Sequence, residues 1–191
     1  MKSPYILTLA LALAACSGAD DNAPAETATM TETMPEADAP PLTGAPATPV
    51  DAASYVAKAG AGDMWEIESS KALLEKSTIA EVKAFAQMMI DHHGKSTAKV
   101  EAAAAEAKLT VLPPKLDDAQ QTMLDDIRNA DAESIDAVYL AHQKSAHDAA
   151  LALHKGYAAG GDAEGLKKAA GEIVPIVEAH RTQLAKLISK G

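Results

Sequence analysis

A chain of 191 residues with a formal net charge of −10 has the length for one domain plus flanking segments. The acidic balance argues against a nucleic-acid partner and against direct electrostatic binding to anionic lipid. With a single cysteine, Cys16, no disulfide within the chain is available. A folded part must then be stable through core burial, alone or together with a metal ion.

Residues 1–15 start with a positive charge at Lys2 and continue in an apolar run from Ile6 to Ala15. The run has the length of a signal-peptide apolar region and falls short of the roughly 20 residues that span a bilayer. It ends in Leu13-Ala14-Ala15-Cys16, which resembles the bacterial lipobox. That resemblance implies that 1–15 is a signal peptide and that Cys16 is acylated as the first residue of the mature chain. The membrane partner is then reached through the lipid on Cys16, each buried CH₂ contributing roughly 0.8 kcal/mol. By the lipoprotein sorting pattern, Ser17 implies the outer membrane, facing the periplasm. An ordinary signal peptide with a chance cysteine is the bland alternative.

Residues 16–50 read as a tether. Beyond the cysteine this stretch has six prolines, six acidic residues and no basic one. It has too little apolar surface to offset the entropy of ordering, so it is predicted to be disordered. As a coil it would reach roughly 30–35 Å.

Residues 51–191 are alanine-rich, with apolar residues at helical spacing and no run of β-branched residues at period two. Helix A is predicted from about Asp51 to Lys76. Helix B starts at a capping box, Thr78 to Glu81, and continues to about Lys108, before Pro113-Pro114. A shorter helix covers about Lys115 to Arg128. Helix C runs from about Ala132 to Ala159 and stops at Gly160-Gly161. Asp162 caps helix D, which extends to about Ser189 and is kinked at Pro175. Four long helices with short connections make an all-α antiparallel four-helix bundle the expected architecture, with the extra short helix between B and C. The expected core stripes are Val82, Phe85, Met89, Ser96 and Val100 on helix B, and Ile173, Ile176, Val177, Leu184, Leu187 and Ile188 on helix D.

All six histidines lie in predicted helices. Three fall on inward stripes: His93 four residues after Met89, His147 between Gln143 and Leu151, and His180 between Ile176 and Leu184. A buried imidazole must be hydrogen-bonded or coordinated. His92, His142 and His154 read as solvated. On helix A, Glu66 and Glu68 flank Ile67, and only one of the two can face fully inward. One carboxylate and three imidazoles, one from each helix, would suit zinc, iron or copper(II). A set of core histidines satisfied by ordinary hydrogen bonds is the alternative.

Three segments carry a family resemblance: Phe85 to Ile90 followed by Asp91-His92-His93-Gly94-Lys95; Ile135 to Tyr139 followed by Gln143 and Ala146-His147; and Val174-Pro175 followed by Glu178-Ala179-His180. Together they resemble an uncharacterised family of bacterial outer-membrane lipoproteins with a ferritin-like four-helix domain. The resemblance implies recurrent histidines at His93, His147 and His180 and a helix-A glutamate at Glu68. The family commonly has Asp-His where this chain has His92-His93. The Met-Met-Ile-Asp-His-His run is also similar to another uncharacterised helical family with a Met-rich His-His motif. Di-iron ferritin-like proteins place Glu-x-x-His on two helices. Here the residues three before the candidates are Ile90, Lys144 and Val177, which argues against a ferroxidase centre.

The leading functional expectation is an envelope lipoprotein that binds one Zn, Fe or Cu ion through Glu68, His93, His147 and His180. The alternative is a metal-free structural or stress-related envelope protein that acts as an interaction surface, its protein partners not specified by the sequence. An enzyme ranks last, because no nucleophile–base pair and no Gly-rich phosphate loop is present.

Overall fold

The structure, a computed structural model, describes residues 51–190. The expected signal peptide, the acylated Cys16 and the tether lie outside the described residues. Within them the chain is all-helical, with five helices and no strand: α1 Ala52–Lys76, α2 Ala80–Glu106, α3 Asp118–Asn129, α4 Ile135–Gly160 and α5 Glu164–Ile188. None of these helices is long and apolar enough to cross a membrane.

The four long helices pack as a closed ring, α1 on α2, α2 on α5, α5 on α4 and α4 on α1. Their direction follows from the core. One apolar cluster takes Tyr55 and Val56 from the start of α1, Val100 and Ala104 from the end of α2, Tyr157 from the end of α4, and Leu166 and Ile173 from the start of α5. The second takes Trp65 and Leu73 from later in α1, Val82 and Phe85 from the start of α2, Ile135 and Tyr139 from the start of α4, and Leu184 from the end of α5. Each helix is therefore antiparallel to both of its neighbours. Between α2 and α4 the chain returns along the length of the ring. Leu109 packs on the first cluster, while Leu124 and Ile127 of α3 are buried in the second.

Several helix ends differ from their expected positions, each for a local reason. The capping box expected at Thr78 is not formed. Ile79 is the N-cap residue and has no side-chain cap bond, while Ser77 Oγ accepts from the Ile79 amide and donates to Asp136. The capping box is instead on α3, where Asp117 and Gln120 bond each other's backbone amides. α2 stops at Glu106 rather than Lys108, because Lys108 adopts φ 58 and the Leu109 amide turns back to the Ala104 carbonyl at 2.9 Å. That is a Schellman-type stop with lysine where glycine would be easier. α4 begins at Ile135 rather than Ala132, since the Asp131 side chain accepts from the Ser134 amide and hydroxyl and holds a turn there. Asp162 does not cap α5; it accepts from the Tyr157 hydroxyl at 3.0 Å. α5 continues unbroken through Pro175, whose ring is exposed. Ile176 and Ile188, placed on the inward stripe above, are about two-fifths exposed.

Candidate metal centre

Seven polar residues lie between the two apolar clusters, all buried: Asp63 and Glu66 on α1, His93 on α2, Gln143, His147 and His154 on α4, and His180 on α5. They belong to the stripes that build the core. On α1 the buried positions run Val56, Ala59, Asp63, Glu66, Ser70, Leu73, at the three- and four-residue spacing of one helix face. On α4 the same spacing runs Tyr139, Gln143, His147, then His154 and Tyr157. The antiparallel ring sets these interruptions at one level.

His93, His147 and His180 meet there, with one ring nitrogen from each within 4.8 Å of the other two. The hydrogen bonds identify which nitrogens face inward. His147 Nδ1 lies 2.9 Å from the Gln143 carbonyl, which can only accept, so Nδ1 carries the proton and Nε2 keeps a lone pair. Glu66 Oε1 sits 3.3 Å from the same Nδ1, and Glu66 Oε2 accepts from Gln143 Nε2 at 2.6 Å. His93 Nδ1 donates to Asp63 Oδ1 at 2.7 Å, while Thr97 Oγ1 donates to Asp63 Oδ2 at 3.0 Å. His93 Nε2 is buried without a hydrogen-bond partner among the described residues. His180 Nδ1 faces His147 Nε2 at 3.3 Å, and His180 Nε2 faces His92 Nδ1 at 2.8 Å. Each of the three imidazoles is thus held from behind, by Asp63, by Gln143 with Glu66, and by His92, and directs its other nitrogen to a common point. Orienting partners of this kind set the tautomer and ring angle of metal-ligating histidines.

Charge and spacing suit a cation. Asp63 and Glu66 are 4% and 3% exposed, and among the described residues neither pairs with a lysine or arginine. The two buried carboxylates place negative charge behind the histidines that a divalent ion would offset, and an uncompensated buried charge is costly. The 3.3 Å between His147 Nε2 and His180 Nδ1 matches the edge of a tetrahedron with metal–nitrogen bonds of about 2.0–2.1 Å, which is about 3.3–3.4 Å. Burial, reinforced by His93, His147 and His92, pushes the His180 pKa down to about 3, towards the neutral form that ligates. For His93 burial acts in the same direction, but the bond to Asp63 and the charges of Glu66 and Asp63 outweigh it and raise its pKa.

Of the four residues expected at the site, the three histidines converge and Glu68 does not join them. Glu68 is partly exposed and pairs with Lys71 at 2.9 Å and Arg128 at 3.4 Å. Glu66, two residues earlier and on the inward stripe, takes the buried place, behind His147. His92 is half-buried against His180, with ring centroids 5.1 Å apart. His154, read above as solvated, is 4% exposed and bonded to the Tyr55 hydroxyl at 3.0 Å. His142 lies nearer the surface and pairs with Asp126 at 3.1 Å. Asp63 was not singled out in the sequence, although its place on the Val56-to-Leu73 stripe was the available signal.

Fold and site together define an all-helical domain with a buried cluster of three histidines. The family model for a domain of unknown function, DUF4142, matches residues 37–187, and the chain belongs to that family. The chain is also similar to a solved structure described as a DUF305 fragment from Deinococcus radiodurans. The TM-score is 0.64 at 15% sequence identity, over 77% of this chain and 100% of that one. At that identity the likeness is one of fold. No curated protein matches the chain in sequence.

Proposed function

We propose that this protein is a lipid-anchored envelope protein whose helical domain, a ferritin-like four-helix bundle, binds one transition-metal ion through His93, His147 and His180. The carrying observation is the convergence of three inward-facing imidazole nitrogens, each backed by its own hydrogen-bond partner. The ring of antiparallel helices and the long return between α2 and α4 favour the ferritin-like reading, since such folds have one crossover connection. Three imidazole donors suit zinc, iron or copper, and zinc is the ion tested first. The anchor on Cys16 and the outer-membrane location rest on the lipobox resemblance. Incorporation of labelled fatty acid, lost in Cys16→Ser, tests them.

The test of the metal reading is native mass spectrometry of the full chain titrated with zinc. One ion per chain is expected, retained by Glu68→Ala and lost by His147→Ala. At zinc 100-fold above Kd, binding adds about 2.7 kcal/mol, which raises Tm by about 10 °C in a domain of this size. No binding, or binding that survives His147→Ala unchanged, would favour the metal-free interaction protein. Asp63→Asn removes the negative charge behind His93, replaces one of its two acceptor oxygens with an N–H donor, and leaves the three ligands in place. Its zinc affinity, measured by competition with a chromophoric chelator, is expected to fall 10–100-fold.

A further inference from the structure

Beside the histidine cluster, on the side of the first apolar cluster, the core is built from small side chains. One helical turn from Asp63, His93 and His147 in that direction lie Ala59, Ser96 and Ala150, and only Val177, one turn from His180, is larger. The space beside them is part of a cavity of about 870 Å³, lined by all four long helices and by residues between 115 and 123. Its volume is in the range of small-molecule sites. Most of the remaining wall is apolar, with Trp65, Met123, Leu153, Ile173 and Ile176 the larger contributors. The cavity stands beside the point that the three imidazole nitrogens share and does not reach it, since His147 is fully buried outside its wall and His93 Nε2 is enclosed.

Charged groups of both signs border this space, and on the inner wall the carboxylates are already engaged. Asp63 accepts from His93 and Thr97, and Glu66 accepts from Gln143 beside His147. At the rim, Asp117 caps α3 and Lys99 pairs with Glu172, while Lys58, Lys95 and Lys115 are exposed to water. A charged ligand would give up hydration without gaining a buried partner of opposite sign. We infer that the cavity binds one neutral, predominantly apolar small molecule, next to the metal centre and independently of any ion in it. Each CH₂ group moved from water onto such walls tightens binding about 4-fold.

The test uses the full chain carrying Cys16→Ser, so that no acyl group competes, and N-phenyl-1-naphthylamine, a neutral probe whose fluorescence rises in apolar surroundings. One probe per chain is expected to bind saturably. Hexanol, octanol and decanol are expected to displace it with affinity rising along the series. Octanoate and octylammonium are expected to displace it about 10-fold less well than octanol, or worse. No saturable binding, or displacement by either ion as effective as by octanol, overturns the proposal. The location is tested by Ala150→Leu and, across the core, by Ser96→Leu, which also removes a buried hydroxyl without a hydrogen-bond partner among the described residues. Each fills the space, so Tm is expected to hold or rise, while probe affinity falls about 10-fold or more. Unchanged probe affinity in both folded variants places the probe elsewhere and overturns the assignment. Unfolding of both shows that the layer has no room for a ligand and overturns it as well.

Discussion

Phe85→Ala is expected to destabilise the domain by about 3–5 kcal/mol, the usual cost of removing a buried aromatic ring. For a domain of this size that lowers Tm by about 12–20 °C. Phe85 is fully buried at the level where the second apolar cluster meets the polar belt. Its ring lies edge-on to Tyr139 and against His147, with both centroid separations 6.4 Å. The surrounding positions include Ala72 and Ala86, which are too small to close the space. Phe85→Leu leaves a smaller cavity and is expected to fall between the two. Thermal unfolding followed by circular dichroism measures both, and a loss below about 1 kcal/mol in Phe85→Ala would show that the core relaxes into the gap.

Acid is expected to weaken the metal-free protein through His154 and through His180, whose pKa is pushed down in the same direction. Burial pushes the His154 pKa down to about 4, against an ordinary value of 6.5, with a smaller raising effect from Asp63 and a smaller lowering one from His93. The folded state therefore favours neutral His154, and the unfolded chain takes up the proton first as pH falls. The contribution is whole above about pH 6.5, declines between 6.5 and 4, and is gone below. Its full size is about 3 kcal/mol, at 1.36 kcal/mol per unit. His93, whose pKa is raised, acts with the opposite sign and above its ordinary pKa, so it does not mask the decline. The Tyr55 hydroxyl bonds His154 Nδ1, and His154→Gln keeps a polar partner for it without a titrating group. Tm of the metal-free protein measured from pH 7 to 4 is expected to drop about 10 °C less in His154→Gln than in the parent. Parallel curves would place the acid sensitivity elsewhere.

Most of the fold was legible in the residues. The 3.6-residue recurrence of apolar side chains, the Pro113-Pro114 break and the glycine pair at 160–161 locate five helices to within a few residues. Gly161 shows why that stop holds: a Cβ there would lie 2.7 Å from the Tyr157 carbonyl. At the start of α2, two polar side chains competed for the same role. Thr78 was the obvious cap, but Ser77 is the residue drawn in by Asp136. Ile176 was assigned inward because it shares the spacing of Ile173 and Val177. Spacing alone does not say how wide the covered stripe is, and here α5 leaves that edge exposed.

The histidines show the same division. Each of His93, His147 and His180 could be recognised singly, because each replaces an apolar residue on an inward stripe. That is a local property of one helix, and sequence period determines it. Their convergence is not local. It depends on the helices running antiparallel and on the chain length between α2 and α4 bringing positions 63, 93, 147 and 180 to one level. Glu66 and Glu68 lie on opposite faces, since 100° of rotation per residue sets them about 200° apart; the Val56-to-Leu73 spacing carried the signal for Glu66, whereas Glu68 rested on the family resemblance. Only the packed structure decided that Asp63 holds His93 and that His154 is buried on Tyr55, because those partners lie 30 and 99 residues away. The sequence by itself determined helices, faces and candidate ligands. The tertiary structure decided height, rotation and pairing, because these are set by contacts between helices that no single helix encodes.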